Sequence, residues 1–182
     1  MIKRMIKRII IFLVAVFINL VWFSVIQNVE LKIEYNVKHE KIKKCFSKHL
    51  PGKHKEAIIN NVIDLVKEDE AIHNINLRVL LIAMAKVESS GNPMAVSKKG
   101  ALGVWQVMWG EASYRGYHPI QMYLIGENLV VAKDILYYKS SRVNDGWRAV
   151  RYYCGTGVEA KVYEKNVQQV YKAITDDLRR DV

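Results

Sequence analysis

Cysteine is nearly absent from this chain. Two residues, Cys45 and Cys154, among 182 set no disulfide framework, so the fold must be held by a packed core. Whether the two pair is a matter of geometry that spacing does not answer. Proline is also scarce: Pro51, Pro93 and Pro119 are the only three, and each falls at an expected boundary between elements. No internal repeat or low-complexity tract is present, which excludes solenoids and arrays. Strand-like alternation is rare, so one mostly helical domain of moderate size is expected. Acidic residues are missing from the first eight positions, which carry Lys3, Arg4, Lys7 and Arg8.

The net charge of +10 invites a nucleic-acid reading, but its distribution argues against one. Residues 30–55 hold eight lysines against Glu30, Glu34 and Glu40, while residues 56–182 carry sixteen basic and fifteen acidic groups. The basicity therefore lies in the flanking segments, which suit an anionic surface such as phospholipid or cell-wall polymer, or a solvated tether with no partner. No nucleic-acid partner is expected. His39, Cys45, His49 and His54 match no familiar zinc spacing, and the lysines among them repel a cation, so no metal is expected.

Ile9 to Ile26 is an apolar run of eighteen residues, interrupted only by Asn19 and Ser24. As a helix it measures about 27 Å, close to the hydrocarbon thickness of a bilayer. The run exceeds the core of a cleaved signal, and Phe23-Ser24-Val25-Ile26-Gln27 is a poor substitute for a small-x-small cleavage site. Residues 1–29 are read as an uncleaved signal-anchor, with a cleaved and secreted form as the alternative. Lysines follow the run as well as precede it, so charge bias alone does not orient it. Residues 30–56 are expected to be a basic linker, and 57–176 the folded domain.

Within that domain, apolar residues at 58, 59, 62, 63, 65 and 66 suggest a helix from Ala57 to about Asp69. Asn76 is a candidate cap for the next helix. There Leu77, Leu81 and Met84 recur at helical spacing, flanked by Leu80 and Val87, and position 88 falls on the same stripe. That position is Glu88. A carboxyl at the end of an apolar face loses solvent on one side, which raises its pKa as a general acid requires. Ser90-Gly91-Asn92-Pro93 then breaks the helix and puts Glu88 at the lip of a cleft. The bland alternative is a solvated glutamate at a helix end. Pro119 begins a two-piece helical stretch to about Lys139, with a break near Gly126. Asp145 is a candidate cap for Gly146–Cys154. Gly155-Thr156-Gly157 precedes a last helix whose expected stripe is Val158, Val162, Val167, Val170, Tyr171 and Ile174.

The run Glu88-Ser89-x-x-Asn92-Pro93-x-Ala95-x-Ser97-x-x-Gly100-Ala101-x-Gly103-x-x-Gln106 resembles the first two motifs of the lytic transglycosylase family, with its soluble-lytic-transglycosylase, goose-lysozyme-like domain. The dense similarity covers residues 87–108, and a weaker one extends to about residue 171. The resemblance implies an all-α lysozyme-like domain that acts on bacterial peptidoglycan glycan strands. It makes Glu88 the catalytic acid and base and assigns substrate contacts to Ser89, Ser97, Gln106 and Tyr152. Tyr152 enters because Arg151-Tyr152-Tyr153-Cys154-Gly155 resembles the third motif, in which asparagine usually stands at the place of Tyr153. On that alignment Tyr152 matters more than Tyr153. Trp105 is read either as core or as a sugar-stacking ring, and Asn128 as structural.

The resemblance implies cleavage of the MurNAc-GlcNAc β-1,4 bond with 1,6-anhydro ends and no cofactor. The alternatives are a hydrolytic muramidase and a weakly active wall-binding or scaffold component of an envelope-spanning machine. An extracytoplasmic substrate puts the domain on the periplasmic or wall side of the inner membrane. Wall remodelling, secretion, conjugation and phage machinery all remain open as contexts.

Overall fold

The computed structural model describes residues 2–181, with side chains described for residues 17–180. The chain divides into two units, Met1–Lys41 and Ile42–Val182. The first consists of the greater part of α1 (Ile2–His49), on which Phe17, Trp22, Phe23, Ile26, Val29 and Ile33 are all exposed. Among the described residues no helix is long and apolar enough to cross a membrane. The expected segment Ile9–Ile26 lies partly outside the described residues, since its side chains through residue 16 are not among them.

The second unit takes in the end of α1 and then runs α2 (Lys55–Leu65), β1 (Ala71–Ile72), β2 (Ile75–Asn76), α3 (Leu77–Ser89), β3 (Ala101–Leu102), β4 (Val107–Met108), α4 (Trp109–Tyr114), a 3-10 helix (Pro119–Tyr123), α5 (Ile125–Ser140), α6 (Gly146–Cys154) and α7 (Val158–Asp181). The basic linker expected over 30–56 is thus helical as far as His49. Its lysines conceal an apolar stripe: Ile42 packs on the core, and Cys45, Phe46 and Leu50 are buried in it. These positions recur at helical spacing, so burial drives the helix while the lysines stay in solvent.

α3 is the centre of this unit. Leu77 to Ala85 are nine consecutive buried residues, so this helix has no solvent face until its last turn. It packs on α7 and α2. Asn76 caps it by accepting from the Val79 amide at 3.1 Å. The buried Arg78 is explained by α2, which ends four residues earlier than the sequence suggested. Its guanidinium donates to the carbonyls of Val66 (2.7 Å) and Ile63 (2.9 Å), placing a cation on the negative end of that helix. At its own C-terminus α3 closes with Ser90 in the left-handed region (φ 54°) and the Gly91 amide on the Ala85 carbonyl at 3.1 Å.

The chain then forms a very small sheet. Leu102 pairs with Val107 and bridges to Val96, while Ala101 pairs with Met108. Residues directly opposite share a face. Leu102 and Val107 turn to the core, and Ala101 and Met108 take the other side. Asn128, fully buried on α5, holds the turn in place. Its Oδ1 accepts from the Trp105 amide at 2.8 Å, and its Nδ2 donates to the Leu102 carbonyl at 3.1 Å. Gly103 must be glycine, because a Cβ there would stand 2.1 Å from the Met122 carbonyl. The two-piece stretch after Pro119 is present, with its break at Leu124 rather than Gly126. Asp145 caps α6 through the Trp147 and Arg148 amides at 2.9 and 3.4 Å. On α7 the buried positions are Ala160, Tyr163, Glu164, Val167 and Ile174, whereas Val158 and Val162 are exposed. The expected stripe thus holds from Val167 to Ile174, with Val170 and Tyr171 packed on the core, while in the first turns Ala160, Tyr163 and Glu164 take the inward face in place of Val158 and Val162.

Asn128→Leu keeps the branching at Cγ but strands two buried backbone groups. The expected cost is about 2–4 kcal/mol, at one to two for each unsatisfied group. Urea unfolding of the full chain measures it, and a loss below about 0.5 kcal/mol would show that the Asn128 bridge is dispensable.

Candidate active site

The last turn of α3 carries Glu88 out of the core and into an open cavity of about 400 Å³. The cavity is walled by the small sheet (Ala101 and Met108), by Ser97 in the loop before it, by Gln106 in its turn, and by the α6–α7 corner from Tyr153 to Ala160. Glu88 is half-buried. Burial pushes its carboxyl up to about 7, and the nearby Tyr163 hydroxyl pulls part of the way back. Desolvation therefore wins, and this carboxyl holds its proton near neutrality.

Two tyrosines flank it. Tyr153 donates its hydroxyl to the Trp105 carbonyl at 2.7 Å, tying α6 to the turn of the sheet. Burial, and next the Glu88 charge, hold its pKa well above the ordinary value. Tyr163 on α7 is similarly raised by burial and by Glu88. Its hydroxyl is buried and makes no hydrogen bond of normal geometry, although it lies within reach of the Glu88 carboxyl. A buried unpartnered hydroxyl calls for an explanation, and a neighbouring acid that changes charge supplies one. An ion pair braces both tyrosines: Arg151, two residues before Tyr153, donates to the buried Glu164, next to Tyr163, and Gln168 donates to the same carboxylate at 3.2 Å.

Of the residues singled out in the sequence, Glu88, Ser97 and Gln106 meet on the cavity, while Ser89 and Tyr152 do not line it. Ser89 is a structural tie: its hydroxyl donates to the Val104 carbonyl at 2.8 Å and accepts from the Asn92 amide at 3.1 Å. Tyr152 faces Arg148, one helical turn back, whose guanidinium donates to its hydroxyl at 3.4 Å. Its neighbour Tyr153 takes the cavity position. Ser97 shapes the loop by accepting from the Ala101 amide at 2.9 Å. Gln106 sits in the left-handed region (φ 48°), and its side-chain nitrogen donates to Gly103 (2.9 Å) and Ala95 (3.2 Å). Its carbonyl oxygen is left as an acceptor. Strain of this kind collects at functional sites.

Trp105 is wholly buried, with its indole nitrogen donating to Leu81, and is core rather than a sugar platform. Cys154 is an exposed thiol on the cavity, whereas the buried Cys45 donates its thiol to the Ile174 carbonyl at 3.8 Å, so no disulfide joins the two. Tyr163 escaped the sequence reading, although Ala160, Tyr163, Glu164 and Val167 repeat at helical spacing. Lys99 and Glu159 escaped it as well.

The model of the transglycosylase SLT domain matches residues 64–174. The chain belongs to this family. The match takes in α3 with Glu88, the small sheet, α5, α6 and most of α7. Among solved structures, the 70 kDa soluble lytic transglycosylase of Escherichia coli is similar with a TM-score of 0.44 and 17% identity, over 69% of this chain and 22% of that one. The present chain thus spans under a quarter of that protein's length. No curated protein matches the chain.

The raised carboxyl has a consequence for stability. Unfolded, Glu88 returns to its ordinary value of 4.5, against about 7 when folded. The folded state therefore keeps a proton that the unfolded state has lost. This contribution is complete below the unfolded value and disappears as pH rises through the folded one. Glu88→Gln lacks that loss. Its stability relative to the parent should rise between about pH 5 and about pH 8, as read by urea unfolding at each. A difference that does not change with pH would mean that the carboxyl is not perturbed.

Proposed function

We propose that this SLT-domain chain is a peptidoglycan lytic transglycosylase in which Glu88 is the one catalytic carboxyl. The observation that carries the reading is a desolvated glutamate, held at about 7, on the wall of an open cavity within the family-matched region. Two-carboxylate glycosidases need a second acid across the scissile bond. Among the described residues the other carboxylate on the cavity, Glu159, is exposed and paired with Lys99. Glu111 is engaged by Arg115 and Lys139, Asp134 by Arg115, and Asp145 by the α6 amides. One group must therefore act twice.

In the first step the neutral Glu88 gives its proton to the glycosidic oxygen between MurNAc and GlcNAc. The C1–O bond breaks, and the 2-acetamido oxygen of MurNAc supports the cationic carbon. The Tyr163 hydroxyl steadies the new carboxylate. In the second step Glu88 takes the proton of the C6 hydroxyl, whose oxygen bonds to C1. The products are a 1,6-anhydro end and a free 4-hydroxyl, with no water consumed and Glu88 protonated again. Gln106 offers its carbonyl to an N-acetyl or hydroxyl hydrogen. A muramidase would use water in the second step. A weakly active wall-binding component is the other reading, favoured by Tyr153 at the third-motif position. The tether proposed for this enzyme is the run Ile9–Ile26 in the inner membrane, with the domain on the wall side.

Product analysis after digestion of purified peptidoglycan decides among these. Anhydro ends are expected from the full chain, with an alkaline limb of turnover near pH 7 following the acid form of Glu88. Reducing ends would mean a hydrolase, and no product with retained wall binding would mean a scaffold. Glu88→Gln should lose about 10²–10⁴ in rate with the fold kept. Clearance at the parent rate would remove Glu88 from the mechanism.

Tyr153→Phe breaks the tie to Trp105 and should slow turnover by about 2–10-fold, the equivalent of one neutral hydrogen bond. Tyr152→Phe should change it little. The opposite ranking would restore Tyr152 to the site.

A further inference from the structure

Among the described residues, Lys99 is the single cationic residue on the cavity wall, whose acidic residues are Glu88 and Glu159. It sits in a loop whose backbone is fixed. The Lys99 amide donates to the Ser97 hydroxyl at 3.3 Å, and Gly100 turns the chain in the left-handed region (φ 82°). Its ammonium reaches from this loop to Glu159 in the first turn of α7, at 3.3 Å. Both side chains are strongly exposed, 81% and 85%, so the pair is weakly held and opens readily. Lys99, Glu159 and Glu88 all act on the Cys154 thiol, which puts the three charges in one electrostatic neighbourhood.

The Glu159 carboxylate at the cavity repels an anionic polymer, and the Lys99 ammonium beside it offsets that charge. Each muramic acid unit carries a lactyl group that ends either in its own carboxylate or in a stem peptide bearing carboxylates. We propose that Lys99 recognises a carboxylate of the incoming strand and that Glu159 occupies its place until the strand arrives. This rests on the transglycosylase reading and adds to it the anionic group that the site selects. Lys99 and Glu159 then have opposite effects. Lys99 attracts the strand, and Glu159 competes with it for the same ammonium.

The test compares full-length chains that all carry Glu88→Gln, so that strands remain intact during titration. The probes are peptide-free glycan strands, strands with stem peptides, and a neutral N-acetylglucosamine oligomer. Adding Lys99→Met should weaken binding of the anionic strands by about threefold at low salt, and Lys99→Arg should restore it. Adding Glu159→Gln should tighten binding by about twofold. Affinity for the neutral oligomer should not change. A larger Lys99→Met effect on peptide-free strands identifies the lactyl carboxylate, and a larger effect on peptide-bearing strands identifies the stem. The inference is overturned if Lys99→Met binds as its parent does, if the neutral oligomer loses affinity equally, if Glu159→Gln weakens binding, or if the parent binds no strand. Absence of cut strands from the chain with Glu88 intact would instead overturn the transglycosylase reading, and the affinity comparison would still decide the role of Lys99.

Discussion

The burial of α3 on every side is the constraint on which the rest depends. Nine successive residues from Leu77 to Ala85 leave water together. Each large side chain among them contributes about 1.5–3 kcal/mol of transfer free energy, so the helix cannot shift or rotate cheaply. A helix fixed in this way delivers whatever lies in its next turn to one place. That residue is Glu88, which leaves the core only far enough to border the cavity while losing most of its hydration. Its raised pKa and its position thus have the same origin.

The opposite wall of the cavity is made differently. Two-residue strands have almost no stability of their own. Polar side chains from elsewhere hold them instead: Asn128 bonds the Leu102 carbonyl and the Trp105 amide, Tyr153 the Trp105 carbonyl, and Ser89 the Val104 carbonyl. Three helices, α3, α5 and α6, are joined to one short turn. Gln106 lies in that turn in a conformation few residues adopt, and the same bonds hold it there. Such a network gives the cavity beside Glu88 a firm wall.

Charge separates along the chain by task. The N-terminal lysines cluster outside the family-matched region, whereas residues 56–182 carry sixteen basic and fifteen acidic groups. Inside it, the buried Arg78 donates to the carbonyls at the end of α2, and the buried Glu164 is ion-paired with Arg151. The ionisable groups left on the cavity include Glu88 and the exposed pair formed by Lys99 and Glu159.

The sequence by itself determined the helical class, the caps at Asn76 and Asp145, the breaks after Ser89 and Cys154, and Glu88 as the residue of interest. These are local matters, set by helical spacing, capping chemistry and backbone breakers. The motif around Glu88 was legible for the same reason, since its residues lie close together in the chain. Tertiary structure alone decided the rest. It placed Tyr153 rather than Tyr152 on the cavity, because the facing of a short helix depends on what packs against it. It made Ser89 a tie and Trp105 core, since both find their partners across the fold. It brought Tyr163 from the last helix to the acid, and it drew Cys45, Phe46 and Leu50 out of an apparent linker. Each of these depends on a neighbour distant in sequence, and no spacing along the chain encodes which neighbour that will be.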